Sequence, residues 1–340
     1  MSGRTGAMWR DQLMGSIRGE SGDDPAWVDT ASAPSARRRI AVALALGLAS
    51  ALFTWLVMRP ETAIPDFPFW WRAARILAAG GNPYHEMPQT PTWPLPDRLY
   101  YPLPAVLITL PIASLPLPAA GALMMGSASA ILAWSASGQG FGRLWMFASP
   151  PYILALKFGQ WSPLIMSAAF LPAMGWAAAI KPPLGLAVLA YRPSWRSASL
   201  ALAFALAGFL ALPSWVADWR ANLAHLEQHP APVATFGGVL LLGALARWRR
   251  RDGRLLVVMA CVPQLLFFAD QFPLWLVPRT RGEMVALSVC SMAGFGLWWL
   301  SIEPGTLYVL AAAKYVMLSC YLPALVIVLR HRNEGRVRIE

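Results

Sequence analysis

Long apolar runs, separated by short polar segments, limit more than any other feature how this chain can fold. A run of about 20 apolar residues can cross a bilayer as a helix, which satisfies its own backbone hydrogen bonds where lipid offers none. Only 13% of the residues are charged, against about a quarter in soluble domains. The sequence therefore predicts an all-α polytopic membrane protein of about eight to ten spans. The runs lie at about 40–58, 102–118, 120–136, 145–158, 162–190, 198–216, 232–246, 255–278, 284–301 and 306–329.

Prolines interrupt several of these runs. A proline inside a span frees a backbone carbonyl, which is tolerated where the helix breaks beside protein or a cavity. We therefore expect broken or re-entrant helices. The prolines concerned are Pro111, Pro116, Pro118, Pro172, Pro182, Pro183, Pro273 and Pro278.

Clusters of arginine beside the spans predict the orientation of the chain. The positive-inside rule places them in the cytoplasm, which leaves the charge-balanced segment 59–101 and the segment 217–231 outside. Because the arginines flank spans and form no single face, nucleic-acid binding is a poor interpretation of the net charge of +11. The clusters lie at 37–39, 192–196, 247–254 and 330–338.

Two runs do not fit a simple alternation across the membrane. The run 255–278 must return to the cytoplasmic side, and we expect it to form a broken hairpin. The stretch 137–160 cannot be oriented, because Arg143 and Lys157 give opposite indications.

The polar composition of both ends suggests three parts. Residues 1–36 are expected to form a disordered cytoplasmic tail, because they are rich in polar residues and lack helical periodicity. Residues 37–329 are expected to form the polytopic catalytic domain, and residues 330–340 a basic cytoplasmic tail. Both termini are then cytoplasmic, in a multi-pass protein of the plasma (inner) membrane.

An amphipathic helix is predicted at residues 66–79, within the external loop. Asp66 suits a helix N-cap, and Gly80 and Gly81 suit a stop. From these residues alone, we expect an interfacial helix on the outer leaflet, with its tryptophans at headgroup depth. Its apolar side is formed by Phe67, Trp70, Trp71, Ala74 and Leu77.

Several short motifs follow one another in an order that resembles glycosyltransferase family 87. The string from Asp66 to Tyr84 resembles the first external loop of that family, and Tyr100 to Ala105 resembles the start of its next span. The stretch from Asp270 to Trp275 is the nearest counterpart of a late family motif but lacks its histidine. The other matching strings are Ser149-Pro150-Pro151, Lys157 to Pro163, and Ile180-Lys181-Pro182.

The resemblance implies a bundle similar to GT-C transferases, with the active site facing away from the cytoplasm. Such an enzyme moves a hexose, typically mannose, from a polyprenyl-phosphate carrier to a glycolipid or glycan hydroxyl with inversion. Phosphate is already a good leaving group, so one carboxylate that takes the hydroxyl proton suffices. Asp66 matches the loop aspartate of the family and is the expected base. We expect no cofactor, and no metal because no acid cluster of metal-ligand spacing is present.

Two lysines in apolar sequence are the expected partners of the carrier phosphate. Lys157 and Lys181 could stabilise the charge that grows on the leaving oxygen, since charged groups inside a membrane tend to mark functional cavities. Lysines at such positions can also extend to the interface and have no other role.

Four further residues complete the predicted substrate site. Arg72 follows Asp66 on the same helix and suits either the phosphate or the ionised acid. Gln160 and Tyr84 are sugar or phosphate contacts by motif position, and His225 is a possible contact of the acceptor or donor. For His225, an ordinary solvated loop histidine is the alternative.

Two other functions remain open from the sequence. A transporter or flippase of lipid-linked sugars would also use broken helices and buried lysines. An inactive GT-C-like assembly subunit would keep the fold without the reaction. In each case membrane lipid surrounds the protein.

Overall fold

A computed structural model describes five stretches of the chain, and every regular element within them is helical. The predicted tails lie almost entirely outside the described residues, and so do parts of the loop 59–101. The described stretches are residues 34–58, 66–89, 98–225, 229–302 and 311–331.

The helices are numbered here in chain order. The first six are α1 (Ala36–Val57), α2 (Phe67–Ala78), α3 (Pro83–Glu86), α4 (Leu103–Leu107), α5 (Leu117–Ala136) and α6 (Pro150–Phe158). They are followed by α7 (Ser162–Phe170), α8 (Pro182–Tyr191), α9 (Trp195–Ala211), α10 (Trp215–Leu223), α11 (Arg251–Cys261), α12 (Arg281–Leu300) and α13 (Ala313–Arg330). A π-helical turn lies within α13 at Met317–Tyr321, and the longer 3₁₀ helices are Gly142–Ala148, Pro172–Ala179, Gly238–Arg247 and Phe268–Leu276.

Four helices of the described stretches are long and apolar enough to cross a membrane: α1, α5, α12 and α13. A fifth span is present if α9 and α10, bent by 100° where they meet, are counted as one. This is fewer than the expected eight to ten, because other apolar runs break into short pieces. The run 162–190 forms α7, a 3₁₀ helix and α8, which are separated at Pro172 and Pro182. The all-α class and the broken helices are as predicted, and the span count is corrected.

Helices α1 and α5 pack closely through glycines. A Cβ added at Gly47 would lie 2.9 Å from the carbonyl oxygen of Gly126, so the two backbones approach as small residues allow between membrane helices. Arg39, near the start of α1, donates a hydrogen bond of 2.8 Å to the carbonyl oxygen of Trp134, near the end of α5. The two helices are therefore antiparallel.

Charged residues from distant parts of the chain meet at one end of the bundle, called here the basic end (Arg143, Arg250, Asp252, Arg279 and His331). The buried Asp252 carboxylate lies 2.6 Å from His331 Nδ1 and 3.6 Å from Arg279 Nε. Because Asp252 and Arg279 flank the run 255–278, this run ends beside the place where it begins. The predicted broken hairpin is confirmed in that respect.

The stretch 137–160 runs from the basic end toward Asp66. Arg143 lines a small cavity at the basic end. Farther along, Phe158 accepts a 3.0 Å hydrogen bond from the backbone N–H of Asp66. Arg143 and Lys157 gave opposite indications because they lie toward different ends of the bundle.

The segments 59–101 and 217–231, both expected outside, contact each other. The buried Asn222 of α10 donates from Nδ2 to the carbonyl oxygens of Tyr84 at 3.2 Å and Leu99 at 3.3 Å. The two segments therefore lie on the same side of the bundle, as the predicted orientation requires.

Helix α2 corresponds to the helix predicted at 66–79. The chain leaves it through a left-handed residue, Gly80, with φ of 84°, as expected for a helix stop. Trp70 is fully buried, and its ring centroid lies 4.6 Å from that of Trp161. Trp70 thus packs against protein and is not the lipid anchor expected from the sequence, whereas Trp71 is partly exposed.

Candidate functional site

Asp66 precedes α2 directly, but its carboxylate does not cap the helix. The residue has helical backbone angles, with φ of −72° and ψ of −27°, and its side chain accepts no hydrogen bond from the first turn. Its backbone N–H joins the start of α2 to the end of α6 through the carbonyl oxygen of Phe158. The helix boundary was predicted correctly and the capping role was wrong. A carboxylate without backbone donors remains a stronger base than a capping one.

Gln160 connects Asp66 to Lys181 through both atoms of its amide. Nε2 donates to Oδ2 of Asp66, and Oε1 accepts a hydrogen bond of 3.3 Å from Lys181 Nζ. The preceding Gly159 has φ of 68°, and a Cβ there would lie 2.5 Å from that of Phe67. The glycine therefore permits both the sharp turn after α6 and the close approach of α2. The fold thus brings together three of the predicted site residues.

Lys181 also contacts a carboxylate that the sequence analysis did not assign to the site. Its Nζ lies 2.5 Å from Oδ1 of Asp270, whose side chain is 3% exposed. Asp270 is the only acidic residue in the run 255–278. A lone acid in an apolar run was the signal that could have identified it, because such charges are costly in a membrane and usually paired.

Aromatic side chains surround this group of polar residues. The Tyr101 side chain interacts electrostatically with Asp66, and its ring centroid lies 5.7 Å from Lys181 Nζ. The buried Trp70 meets Tyr101 edge-on, with 4.8 Å between the ring centroids. We refer to Asp66, Tyr101, Gln160, Lys181 and Asp270 as the Asp66 cluster.

The surroundings of Asp66 raise the pKa of its carboxyl group to about 6. Burial is the main cause. The charge of Lys181 lowers the pKa, the charge of Asp270 raises it, and the hydrogen bond from Gln160 and the interaction with Tyr101 lower it. Such a group is ionised at neutral pH and accepts a proton more readily than an ordinary aspartate.

Lys157 and Arg72 lie on the two helices that meet at Asp66. Lys157, near the end of α6, is partly buried, and its Nζ lies 5.7 Å from the ring centroid of Phe158. Within the described stretches, no carboxylate forms an ion pair with Lys157. Arg72 is partly exposed on α2.

Tyr84 and His225 are not brought into the cluster as substrate contacts. The buried Tyr84 donates from its hydroxyl to the carbonyl oxygen of Tyr101 at 3.0 Å, so it positions Tyr101 and does not offer a free hydroxyl. His225 is exposed just after α10, and no contact in the described residues ties it to the cluster. For these two residues, a contact with substrate stays a prediction.

The Asp66 cluster is closely packed. No member of the cluster lines the cavity beside Trp298 and Lys314 or the small cavity beside Arg143 and Asp252. Asp66 itself is partly exposed, so a substrate can reach it. In the described part of the chain, no three His, Cys, Asp or Glu side chains lie close enough to hold a metal ion.

Comparison of the chain with protein-family models, with curated proteins and with solved structures gave no significant match. The resemblance to glycosyltransferase family 87 is therefore carried by the short motifs alone. What the site can do has to be argued from its geometry.

Proposed function

We propose that this chain is an integral membrane glycosyltransferase that moves a hexose from a polyprenyl-phosphate carrier to a hydroxyl of a glycolipid or glycan. The observation that carries the proposal is the state of Asp66. Its carboxylate is not used as a helix cap, it is oriented by Gln160, and its pKa is about 6. These are the properties of a general base that works at neutral pH. Mannose is the expected sugar, on the resemblance of the motifs.

In the proposed step, the acceptor oxygen bonds to the anomeric carbon of the sugar. The bond between that carbon and the phosphate oxygen breaks, and the phosphate leaves with the electron pair. Asp66 takes the proton of the attacking hydroxyl. Attack from the side opposite the phosphate inverts the configuration, and a phosphate leaving group needs no general acid.

The leaving phosphate gains charge and requires a cation, for which Lys157 is better suited than Lys181. The charge of Lys181 is already balanced by Asp270 at 2.5 Å. Lys157 has no such partner among the described residues, and it lies beside the residue that binds the Asp66 backbone. In this proposal Lys181 holds Gln160 in place and lowers the pKa of Asp66.

The buried pair of Lys181 and Asp270 favours a second candidate function. Paired charges inside a membrane also mark ion and proton paths in transporters, so a transporter or flippase of lipid-linked sugars is the alternative. It would need no base that faces a hydroxyl group. The partly exposed Asp66, with its raised pKa, is better explained by the transferase.

The test is a transfer assay with the full chain purified into lipid. Radiolabelled polyprenyl-phosphate sugars, mannose first, are offered with a membrane lipid extract as acceptor. Wild type is compared with Asp66→Asn and with Asp218→Asn, a matched carboxylate change in α10, outside the cluster. We expect a labelled product that is lost in Asp66→Asn and retained in Asp218→Asn.

Each of the other outcomes has a clear meaning. Transfer that survives Asp66→Asn would contradict the role of Asp66 as base. Movement of the carrier between leaflets without a product would favour the transporter. Neither transfer nor movement, for all sugars offered, would favour an inactive assembly subunit.

A further inference from the structure

A cavity of about 350 Å³ lies where three parts of the chain meet. Trp298 and Ser301 come from the end of α12, Lys314 and Tyr315 from the start of α13, and Phe236 from the turn before Gly238. Because α12 and α13 are candidate spans, their ends place the cavity at a membrane interface. His331, beyond the far end of α13, belongs to the basic end, so the cavity lies at the opposite end of the bundle.

The lining combines apolar surface with one cation. Lys314 is the only charged residue among the described lining residues, and no described carboxylate pairs with it. Its Nζ lies 5.0 Å from the ring centroid of Tyr315. The hydroxyls of Tyr315 and Ser301 lie 2.7 Å apart, so polar groups gather on one side of an otherwise apolar chamber.

The rim of the cavity is apolar and exposed. Phe236, which lines the cavity, is 91% exposed, and Leu300, the last residue of α12 and the neighbour of the lining residue Ser301, is 83% exposed. Large apolar side chains with that exposure, beside the end of a span, face lipid in a membrane protein. A ligand can therefore enter sideways from the bilayer.

We propose that this cavity binds an anionic phospholipid of the surrounding leaflet. Its phosphate would lie at Lys314 and the hydroxyls of Ser301 and Tyr315, because charge-assisted hydrogen bonds to phosphate are about twice as strong as neutral ones. The glycerol and upper acyl chains would pack against Trp298 and Phe236. The volume lies within the range of about 300–1,000 Å³ that is usual for ligand sites.

The occupant is distinct from the sugar donor. A base and the phosphate that leaves must share one site, with reacting atoms within roughly 3–3.5 Å of each other. No member of the Asp66 cluster lines this cavity. The inference therefore does not rest on the proposed transferase.

A chain of aromatic contacts nevertheless leads from the cavity to the Asp66 cluster. The ring centroids of Trp298 and Phe267 are 5.5 Å apart, and so are those of Phe267 and Phe158. The carbonyl oxygen of Phe158 binds the backbone N–H of Asp66. A bound lipid that packs on Trp298 would thus support the aromatic wall behind the cluster.

Native mass spectrometry of the full chain, released from detergent, tests the proposal. Phosphatidylglycerol and phosphatidylcholine with the same acyl chains are titrated separately. Lys314→Gln is expected to weaken phosphatidylglycerol binding by about tenfold or more and to leave phosphatidylcholine binding unchanged. Lys314→Arg should keep the binding. Ala313→Phe, which adds bulk to the cavity wall, should lower it with the charge intact.

The matched control is Arg330→Gln, which removes an exposed cation at the other end of α13. Equal losses in Lys314→Gln and Arg330→Gln would overturn the proposal in favour of unspecific charge attraction. Unchanged phosphatidylglycerol binding in Lys314→Gln would overturn it as well. Polyprenyl phosphate that displaces phosphatidylglycerol from wild type, but does not bind Lys314→Gln, would assign the cavity to the carrier instead.

Discussion

Lys181 and Asp270 form a buried ion pair, with 2.5 Å between Nζ and Oδ1. Lys181 directly precedes α8, and Asp270 lies in the 3₁₀ helix Phe268–Leu276 of another apolar run. The pair therefore links two broken segments deep in the bundle. It also sets the net charge of the Asp66 cluster. The charge of Lys181 is balanced by that of Asp270, so the ionised Asp66 leaves the cluster with one negative charge.

The first prediction concerns the stability that depends on this pair. Lys181→Met leaves Asp270 buried without its partner, and we expect a loss of about 3–5 kcal/mol in the free energy of unfolding. The double variant Lys181→Met/Asp270→Leu removes both charges and should recover most of that loss. Denaturant unfolding in mixed micelles measures both. If the double variant is no more stable than the single one, the pair is not the cause.

The second prediction is that Asp66 lowers the stability of the wild-type fold at neutral pH. Its pKa rises from 3.8 in the unfolded chain to about 6 in the fold, so folding disfavours the ionised form. The penalty is absent below about pH 4 and complete above about pH 6. Asp66→Asn should therefore melt at a higher temperature than wild type at about pH 7 and show no such advantage at about pH 4.

The control for that experiment is Asp218→Asn. Burial raises the pKa of Asp218, but hydrogen bonds from Ser214 and Asn82 and the charge of His85 outweigh it, so the pKa is lowered. The ionised form is thus favoured by folding, and the asparagine variant should melt at a lower temperature than wild type at neutral pH. A rise in both variants would contradict the explanation by burial.

The third prediction concerns the pH dependence of transfer. A base must be ionised to take a proton, so the rate should fall as the pH drops through about 6, the pKa of Asp66. At neutral pH, Asp66→Asn should lower the rate by about 10²–10⁴-fold. Initial rates over a pH series at saturating donor measure both effects. A profile that is flat across this range would exclude Asp66 as the base.

Part of this site could be predicted from the sequence. Asp66, Gln160 and Lys181 were selected because the motifs gave them positions, and the fold brings them into contact. Asp270 was missed because its partner lies in another apolar run, and pairing between runs leaves no local pattern. Motif position also does not reveal that the Tyr84 hydroxyl donates to the backbone carbonyl of Tyr101.

The fold was predictable to a similar depth. The apolar runs predicted the all-α class, and the prolines predicted that helices would be broken. The number of spans could not be predicted, because the length of an apolar run does not show where a helix ends. An aromatic face does not distinguish lipid from protein as its partner, and for this reason Trp70 was expected at the interface. The structure places it against Tyr101 and Trp161.

The fourth prediction concerns the contact of α1 with α5. Gly47→Ala adds a Cβ that would lie 2.9 Å from the Gly126 carbonyl oxygen, and we expect a loss of about 1–3 kcal/mol from overpacking. The matched control is Gly296→Ala in α12, where a Cβ meets nothing within 4 Å. That change should be neutral or should stabilise the helix by about 0.5–1 kcal/mol. Equal effects of the two substitutions on the free energy of unfolding in micelles would show that the close approach of α1 and α5 does not restrict the side chain at Gly47.

The fifth prediction is that His331 makes the basic end sensitive to alkaline pH. Burial lowers the pKa of His331, but hydrogen bonds to Asp252 at 2.6 Å and Glu283 at 3.0 Å outweigh it and hold the pKa above 6.5. The stabilisation that the ionised His331 gives the fold is complete below the pKa of the histidine in the unfolded chain. It is lost as the pH rises through the pKa of His331 in the folded protein. Amide hydrogen exchange near the end of α13 should therefore speed up with pH in wild type beyond its intrinsic pH dependence. In His331→Gln that additional dependence should be absent, and its persistence would show that the ionised histidine does not hold the end of the helix.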